Sequence, residues 1–419
     1  MVASSVPLND LMNTAWMRHH LYMVGSDLFR LKLYEKLSNI IKTGGGPMVK
    51  SLVFEMTSFI RSELGHLNKG RLSESQLKDI AFFGSNLGVI EPEIYEKYNI
   101  PEFRWLYITV GYLMLTPQEE LSDEIIEKVI SIYMKSRNTC SLLAGSNQEL
   151  DKLMDLVADY FDRVPINYKL IYNTPPKDLY ISLHETKDYH IMLPPLPKLK
   201  NRENLVKSLI HKELYRAWLL PDHFFAEGLK NAGIDLDPAT LKGKLKYELS
   251  FLDGLGDLYL AQESSHLLYR FRGVPAQEGD GIFGTRTYNQ LRVILQTNTL
   301  LSQLTVAYNL HKGLEDKKVQ DLLMGEYTPN IDNWDNPDLD NEVRRYEQEF
   351  LADYFEQYVG ALYLEQPEVA LKFILQIYEN TLRLISDVHR LSEKERKKLS
   401  QSYNYRAWCV DVIGRNIWR

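Results

Sequence analysis

Cysteine is nearly missing from this chain: Cys140 and Cys409 are the only two in 419 residues. So few thiols exclude a disulfide scaffold, supply too few ligands for a structural zinc site, and fit a reducing compartment. Long apolar runs are missing too. Stretches such as Trp105-Leu106-Tyr107-Ile108-Thr109-Val110 are short and bounded by polar residues, far below the ~20 residues a membrane helix needs. Positive charge is in deficit, with 49 Lys and Arg against 56 Asp and Glu and a net charge of −7. No global basic field draws in nucleic acid, so any RNA contact rests on local patches. Met1-Val2-Ala3-Ser4-Ser5-Val6 holds neither the basic nor the apolar part of a secretory leader, and the first arginine is Arg18. An intracellular protein is expected, with nucleus, cytoplasm and mitochondrion all open, since maturation removes transit peptides.

What is present is ordinary globular material, 44% hydrophobic and 25% charged, enough at ~150 residues per domain for two or three domains. Helical periodicity dominates. Leu28, Leu31, Tyr34 and Leu37 begin one amphipathic run, and Ile125, Ile126, Val129, Ile130 and Tyr133 form another, each with the 3–4 residue spacing of one helix face. Ser73-Glu74-Ser75-Gln76 has the spacing of a capping box. Residues 1–140 therefore read as a helical domain.

The texture then changes. Residues 147–161 read as one helix, followed by three extended segments at 166–172, 179–183 and 189–192 with turns at Pro175-Pro176 and Glu185-Thr186-Lys187-Asp188. Helix then three strands is the order of a double-stranded-RNA-binding module without its last helix. A small linking sheet over 141–195 is the plainer reading, since no basic cluster follows. Pro194-Pro195-Leu196-Pro197 marks a boundary, helical patterns return over 196–390, and 391–419 is a basic tail. The fold class expected is mainly α.

Several motifs carry no chemistry. Gly279-Asp280-Gly281-Ile282-Phe283-Gly284 spells a dinucleotide-binding loop, but no strand precedes it. Thr43-Gly44-Gly45-Gly46-Pro47-Met48-Val49-Lys50-Ser51 lacks the glycine before Lys50 that lets a backbone cradle phosphate. His184 and His190 are six apart and share no helical face. Asp332, Asp335, Asp338 and Asp340 lack the turn glycine of a calcium loop and read as a solvated insert.

Two carboxylate pairs remain. Asp253 and Asp257 are four apart, and Asp353 and Glu356 are three apart, so on helices each pair projects from one face. Both sit among apolar residues, where acids lose hydration unless a cation compensates. Four carboxylates suit a hard cation such as magnesium. Two unrelated surface pairs would show the same spacing.

The words around these acids go further. Leu252-Asp253-Gly254-Leu255-Gly256-Asp257-Leu258-Tyr259-Leu260 resembles the ribonuclease III signature, Leu-Glu-Phe-Leu-Gly-Asp followed by apolar residues. Leu209-Ile210-His211-Lys212 is similar to that family's Leu-Thr-His-Lys element, and Leu291-Arg292 with Gln296-Thr297-Asn298-Thr299-Leu300-Leu301 falls where its Leu-Arg and Val-Ser-Asn helix lies. Ala352-Asp353-Tyr354-Phe355-Glu356-Gln357-Tyr358-Val359-Gly360-Ala361-Leu362-Tyr363-Leu364 is similar to its Ala-Asp-x-Phe-Glu-Ala-x-Ile-Gly-Ala-x-Tyr-Leu. Asp253 stands in place of a glutamate and is one methylene shorter, Gly254 replaces an aromatic, and Leu249-Ser250-Phe251 replaces the usual Asn-Glu-Arg.

The resemblance implies an all-helical domain over 196–390 and endonucleolytic cleavage of double-stranded RNA in RNA processing. Asp253, Asp257, Asp353 and Glu356 would act as catalytic metal ligands for Mg2+ or Mn2+. The alternative is a catalytically inert, RNA-binding or structural member, such as a component of the mitochondrial large ribosomal subunit within a ribonucleoprotein assembly.

A second, fainter match opens the chain. Leu21-Tyr22-Met23-Val24-Gly25-Ser26-Asp27-Leu28-Phe29-Arg30-Leu31 resembles the same signature helix, Leu77-Lys78-Asp79-Ile80-Ala81 with Leu87-Gly88 the middle helix, and Trp105-Leu106-Tyr107-Ile108-Thr109-Val110-Gly111-Tyr112-Leu113 the late helix. In that register the four metal positions become Tyr22, Ser26, Arg104 and Tyr107, none a carboxylate. The resemblance implies tandem ribonuclease III-like domains, the first an acid-less copy; the alternative is a helical domain unrelated to the family. The partners expected are structured or double-stranded RNA, no membrane, and a paired arrangement, either an internal pseudo-dimer or a homodimer.

Overall fold

The computed structural model describes residues 15–40, 46–65, 92–98, 100–116, 120–137, 148–180, 190–271, 285–334 and 338–389, with Leu8, Met12, Asn336, Ser392 and Lys394. The capping box at 73–76, the middle-helix match at 77–88, the glycine run at 279–284, His184, both cysteines and, apart from Ser392 and Lys394, the basic tail lie outside them. The fold is mainly helical. No described helix is long and apolar enough to cross a membrane.

The chain forms two compact units, Met1–Ala144 with Ser265–Tyr288, and Gly145–Ser264 with Asn289–Arg419. The first contains α1 (Ala15–Ile40), α2 (Gly46–Gly65), α3 (Pro92–Lys97), α4 (Glu102–Met114) and α5 (Leu121–Arg137). Its centre is the packing of α1 on α4. Leu21, Val24, Leu28, Leu31 and Tyr34 bury one face of α1, and Trp105, Leu106, Ile108 and Val110 fill α4, so the expected amphipathic run is the one that packs. Ser265–Tyr288 clusters with this unit. This segment begins with the last two turns of the helix Pro238–Phe271. Its Tyr269 packs against the Leu8, Met12, Leu21 and Trp105 cluster.

The second unit starts with α6 (Gln148–Arg163), which buries Leu153, Val157, Tyr160 and Phe161. Residues 166–172, expected as a strand, instead make one bridge, Ile166 to Leu314, and then a π-turn over Lys169–Asn173. The reason is local: the Asn167 side chain accepts the amide of Leu170 at 3.0 Å, and such Asx-type bonds favour a turn over extended backbone. Strands β1 (Leu179–Tyr180) and β2 (His190–Ile191) pair antiparallel, Leu179 facing Ile191. The described residues of 141–195 cluster with the second unit. Arg202 donates to the carbonyls of Phe161 at 3.0 Å and Val164 at 2.5 Å, capping α6, while Tyr308 holds Pro194 O at 2.7 Å.

The remaining elements are α7 (Arg202–Ser208), a 3₁₀ turn (Lys212–Leu214), α8 (Tyr215–Trp218), α9 (Phe224–Asn231), α10 (Pro238–Phe271), α11 (Thr285–Leu295), α12 (Asn298–Ala307), α13 (Lys317–Leu322), a π-turn (Leu323–Tyr327), α14 (Asn341–Glu365) and α15 (Pro367–His389). Helix α14 is the axis of the unit, packing on α7, α12 and α15, with Tyr354, Phe355, Tyr358, Val359 and Leu362 fully buried. The insert before it is only partly solvated. Asp332, Asp338 and Asp340 are exposed, but Ile331 and Trp334 are buried. Buried Glu347 anchors them, accepting Trp334 Nε1 at 2.8 Å and Asn330 N at 3.0 Å.

Candidate metal centre

Backbone contact fixes the site. A Cβ on Gly256 of α10 would lie 1.8 Å from the carbonyl oxygen of Glu356, and one on Gly360 of α14 would lie 2.2 Å from that of Leu252. Only hydrogen at both positions lets the two helix backbones touch, which is why a glycine recurs one residue before Asp257 and four after Glu356. The crossing brings the two acid pairs face to face. One carboxylate oxygen each from Asp253, Asp353 and Glu356 lies within 4.8 Å of the others. The shorter Asp253 therefore reaches the cluster. Asp257 is outside that three-residue group and half-buried, yet its charge acts on Glu356.

Two residues that the spacing argument missed complete the centre. The chain leaves α7, runs extended through His211 and turns at Lys212–Leu214. The His211 Nδ1 accepts the amide of Glu213 at 3.1 Å, so its Nε2 carries the proton and donates to Asp353 Oδ2 at 2.8 Å. Phe350 holds that ring from one side, with centroids 3.7 Å apart. The Lys212 ammonium donates to Asp253 Oδ2 at 2.9 Å and to Asp353 Oδ2 at 2.6 Å. The Leu-x-His-Lys word was the available signal, although nothing in the spacing tied it to acids more than 40 residues away.

Electrostatics separate the acids. Burial pushes the Asp353 carboxyl up, but His211 and Lys212 outweigh it and hold the group below the ordinary range. Glu356 moves the other way. Burial comes first, then the charges of Asp257, Asp253 and Asp353, and together they drive it well above the usual carboxylate value. A buried acid loaded by three like charges, with oxygen-only donors around it, is the environment a hard divalent cation relieves. These residues fit such an ion.

The first unit repeats the crossing with other side chains. A Cβ on Gly25 would lie 1.7 Å from Tyr107 O, and one on Gly111 would lie 2.3 Å from Leu21 O and 3.0 Å from Gly25 N. In the second unit, Gly360 meets Leu252 O at 2.2 Å and Gly256 N at 3.0 Å. The correspondence places Tyr22, Ser26, Arg104 and Tyr107 where Asp253, Asp257, Asp353 and Glu356 stand. The rings of Tyr22 and Tyr107 meet edge to face at 5.7 Å, and the Arg104 guanidinium lies over Tyr22 at 5.4 Å. No protein-family model and no curated protein matches this chain.

Proposed function

We propose that the chain is a metal-dependent endoribonuclease acting on double-stranded RNA in RNA processing. The observation that carries the reading is the glycine-locked crossing that gathers Asp253, Asp353 and Glu356 within 4.8 Å, in the register of the ribonuclease III resemblance. Asp253, Asp257, Asp353 and Glu356 would hold magnesium or manganese, and the bound ion supplies an activated water and charge for the leaving oxygen. The chain's own residues prepare this chemistry. His211 fixes the rotamer of Asp353 through a proton held on Nε2. Phe350 and the Glu213 amide fix His211 in turn, a supporting shell of the kind that sets ligand orientation.

One observation favours a second reading. The Lys212 ammonium bridges Asp253 and Asp353 and supplies internally part of the charge an ion would bring. A catalytically inert, RNA-binding or structural member, including a ribosomal one, needs no more than this. Cleavage of a long RNA duplex in magnesium, compared with Asp353→Asn and Glu356→Gln, separates the two. Loss of cleavage in both variants supports the enzyme. A wild-type chain that binds duplex and never cuts it supports the inert member, and cleavage unchanged in both variants removes the acids from the mechanism.

A further inference from the structure

The acid-less crossing of the first unit is surrounded by arginine. Arg104, on α4 at the place of Asp353, has its guanidinium 5.4 Å from the Tyr22 ring and 5.9 Å from Phe103. Arg61, on α2, approaches the same Phe103 ring at 5.7 Å. Arg30 stands one turn beyond Ser26 on α1 and, with Arg61, is close enough to act on the buried Tyr107 phenol. All three arginines are exposed, and none makes a hydrogen bond or ion pair with a described residue.

Arginine stacked on an aromatic face keeps its N–H edges free, and its planar fork matches phosphate oxygens in bidentate fashion. The rings also restrict the guanidinium beforehand, which lowers the entropic cost of binding. Uncharged Tyr22, Ser26 and Tyr107 at the other corresponding positions place no carboxylate against an incoming anion. We propose that Arg30, Arg61 and Arg104 form a binding site for the phosphate backbone of duplex RNA, in the location where the second unit gathers its acids. The inference rests on the RNA reading above for its ligand and on the first unit's geometry for its site. It would give a chain of net charge −7 a local positive surface for such a duplex.

The test measures binding of a full-length Asp353→Asn chain to a blunt RNA duplex over a range of salt. Arg30→Gln, Arg61→Gln and Arg104→Gln are added together, and Lys50→Gln, Lys97→Gln and Lys135→Gln, all exposed in the same unit, serve as the charge-matched control. The arginine variant is expected to lose on the order of tenfold in affinity relative to the control. The slope of log K against log salt should shrink by about one per phosphate contact removed. Unchanged thermal melting keeps the result a binding effect. Replacement of the three by lysine should restore part of the salt slope without the full affinity.

Equal binding by the arginine and lysine-control variants overturns the site while leaving cleavage by the wild type, and hence the enzyme reading, untouched. Arginine-dependent binding by a wild type that never cuts sinks the enzyme reading and keeps the site. No duplex binding at all removes both. Equally tight, arginine-dependent binding of a polyglutamate peptide assigns the surface to an acidic protein partner and overturns the RNA assignment.

Discussion

At the residue scale the centre is asymmetric, and the asymmetry is measurable. Asp353 is held ionised by His211 and Lys212, whereas Glu356 is pushed toward its neutral form by burial and three acids. Glu356→Gln therefore replaces a group already inclined to be uncharged and should change metal-free stability by less than about 1 kcal/mol. Asp353→Asn removes one of the two carboxylates that Lys212 bridges and the charged acceptor of His211, and should cost about 1–3 kcal/mol. Urea denaturation with chelator present reads the difference, and equal effects would show that the two carboxyls share one environment. A second residue-scale prediction concerns Asp316. Burial pushes its carboxyl up, but His223 at 3.0 Å, the Val319 amide at 3.2 Å and Tyr160 at 2.9 Å outweigh it and hold it below the usual carboxylate range. A depressed carboxyl stabilises above its unfolded value and loses that contribution as pH falls through the folded one. Asp316→Asn should thus be destabilised by about 1–3 kcal/mol near neutrality, with the gap to wild type closing below about pH 4. A gap constant with pH would mean that the carboxylate charge is not what the network uses.

At the element scale the two glycine crossings carry the account. Alanine at Gly256 would place its Cβ inside contact distance of Glu356 O, and alanine at Gly25 would do the same against Tyr107 O. Each should cost at least the ~1–3 kcal/mol of overpacking. Only the first change moves Asp253 and Asp257 relative to Asp353 and Glu356, so Gly256→Ala should also abolish cleavage. Full activity in Gly256→Ala would show that the crossing does not position the acids. Much of this was legible beforehand. Leu21 to Tyr34 and Tyr354 to Leu362 announce buried helix faces, and both Gly-containing words are visible once aligned on their acids or their replacements. The 166–172 stretch was misread because its β-branched and aromatic residues speak for a strand, while one side-chain bond from Asn167 decides for a turn. His211 and Lys212 escaped because their link to Asp253 and Asp353 exists only after α14 has packed on α7. Likewise, the acid-rich insert gave no sign that Glu347 would bind Trp334 and Asn330.

At the scale of the whole molecule, one crossing bears carboxylates and its counterpart bears Tyr22, Ser26, Arg104 and Tyr107. Among the described residues one chain therefore offers one acid set and, where the enzyme reading holds, one cut. A monomer acting alone should nick duplex RNA in a single strand, whereas a homodimer brings two acid sets and releases short duplexes with staggered ends. The most direct test incubates a long, end-labelled RNA duplex with the full chain and with Glu356→Gln, in magnesium and in chelator, and resolves the products under native and denaturing conditions. The account predicts magnesium-dependent breaks that appear on denaturing gels, vanish in chelator and vanish in Glu356→Gln. Breaks of equal yield in Glu356→Gln, or duplex left whole by the wild-type chain in magnesium, would contradict it.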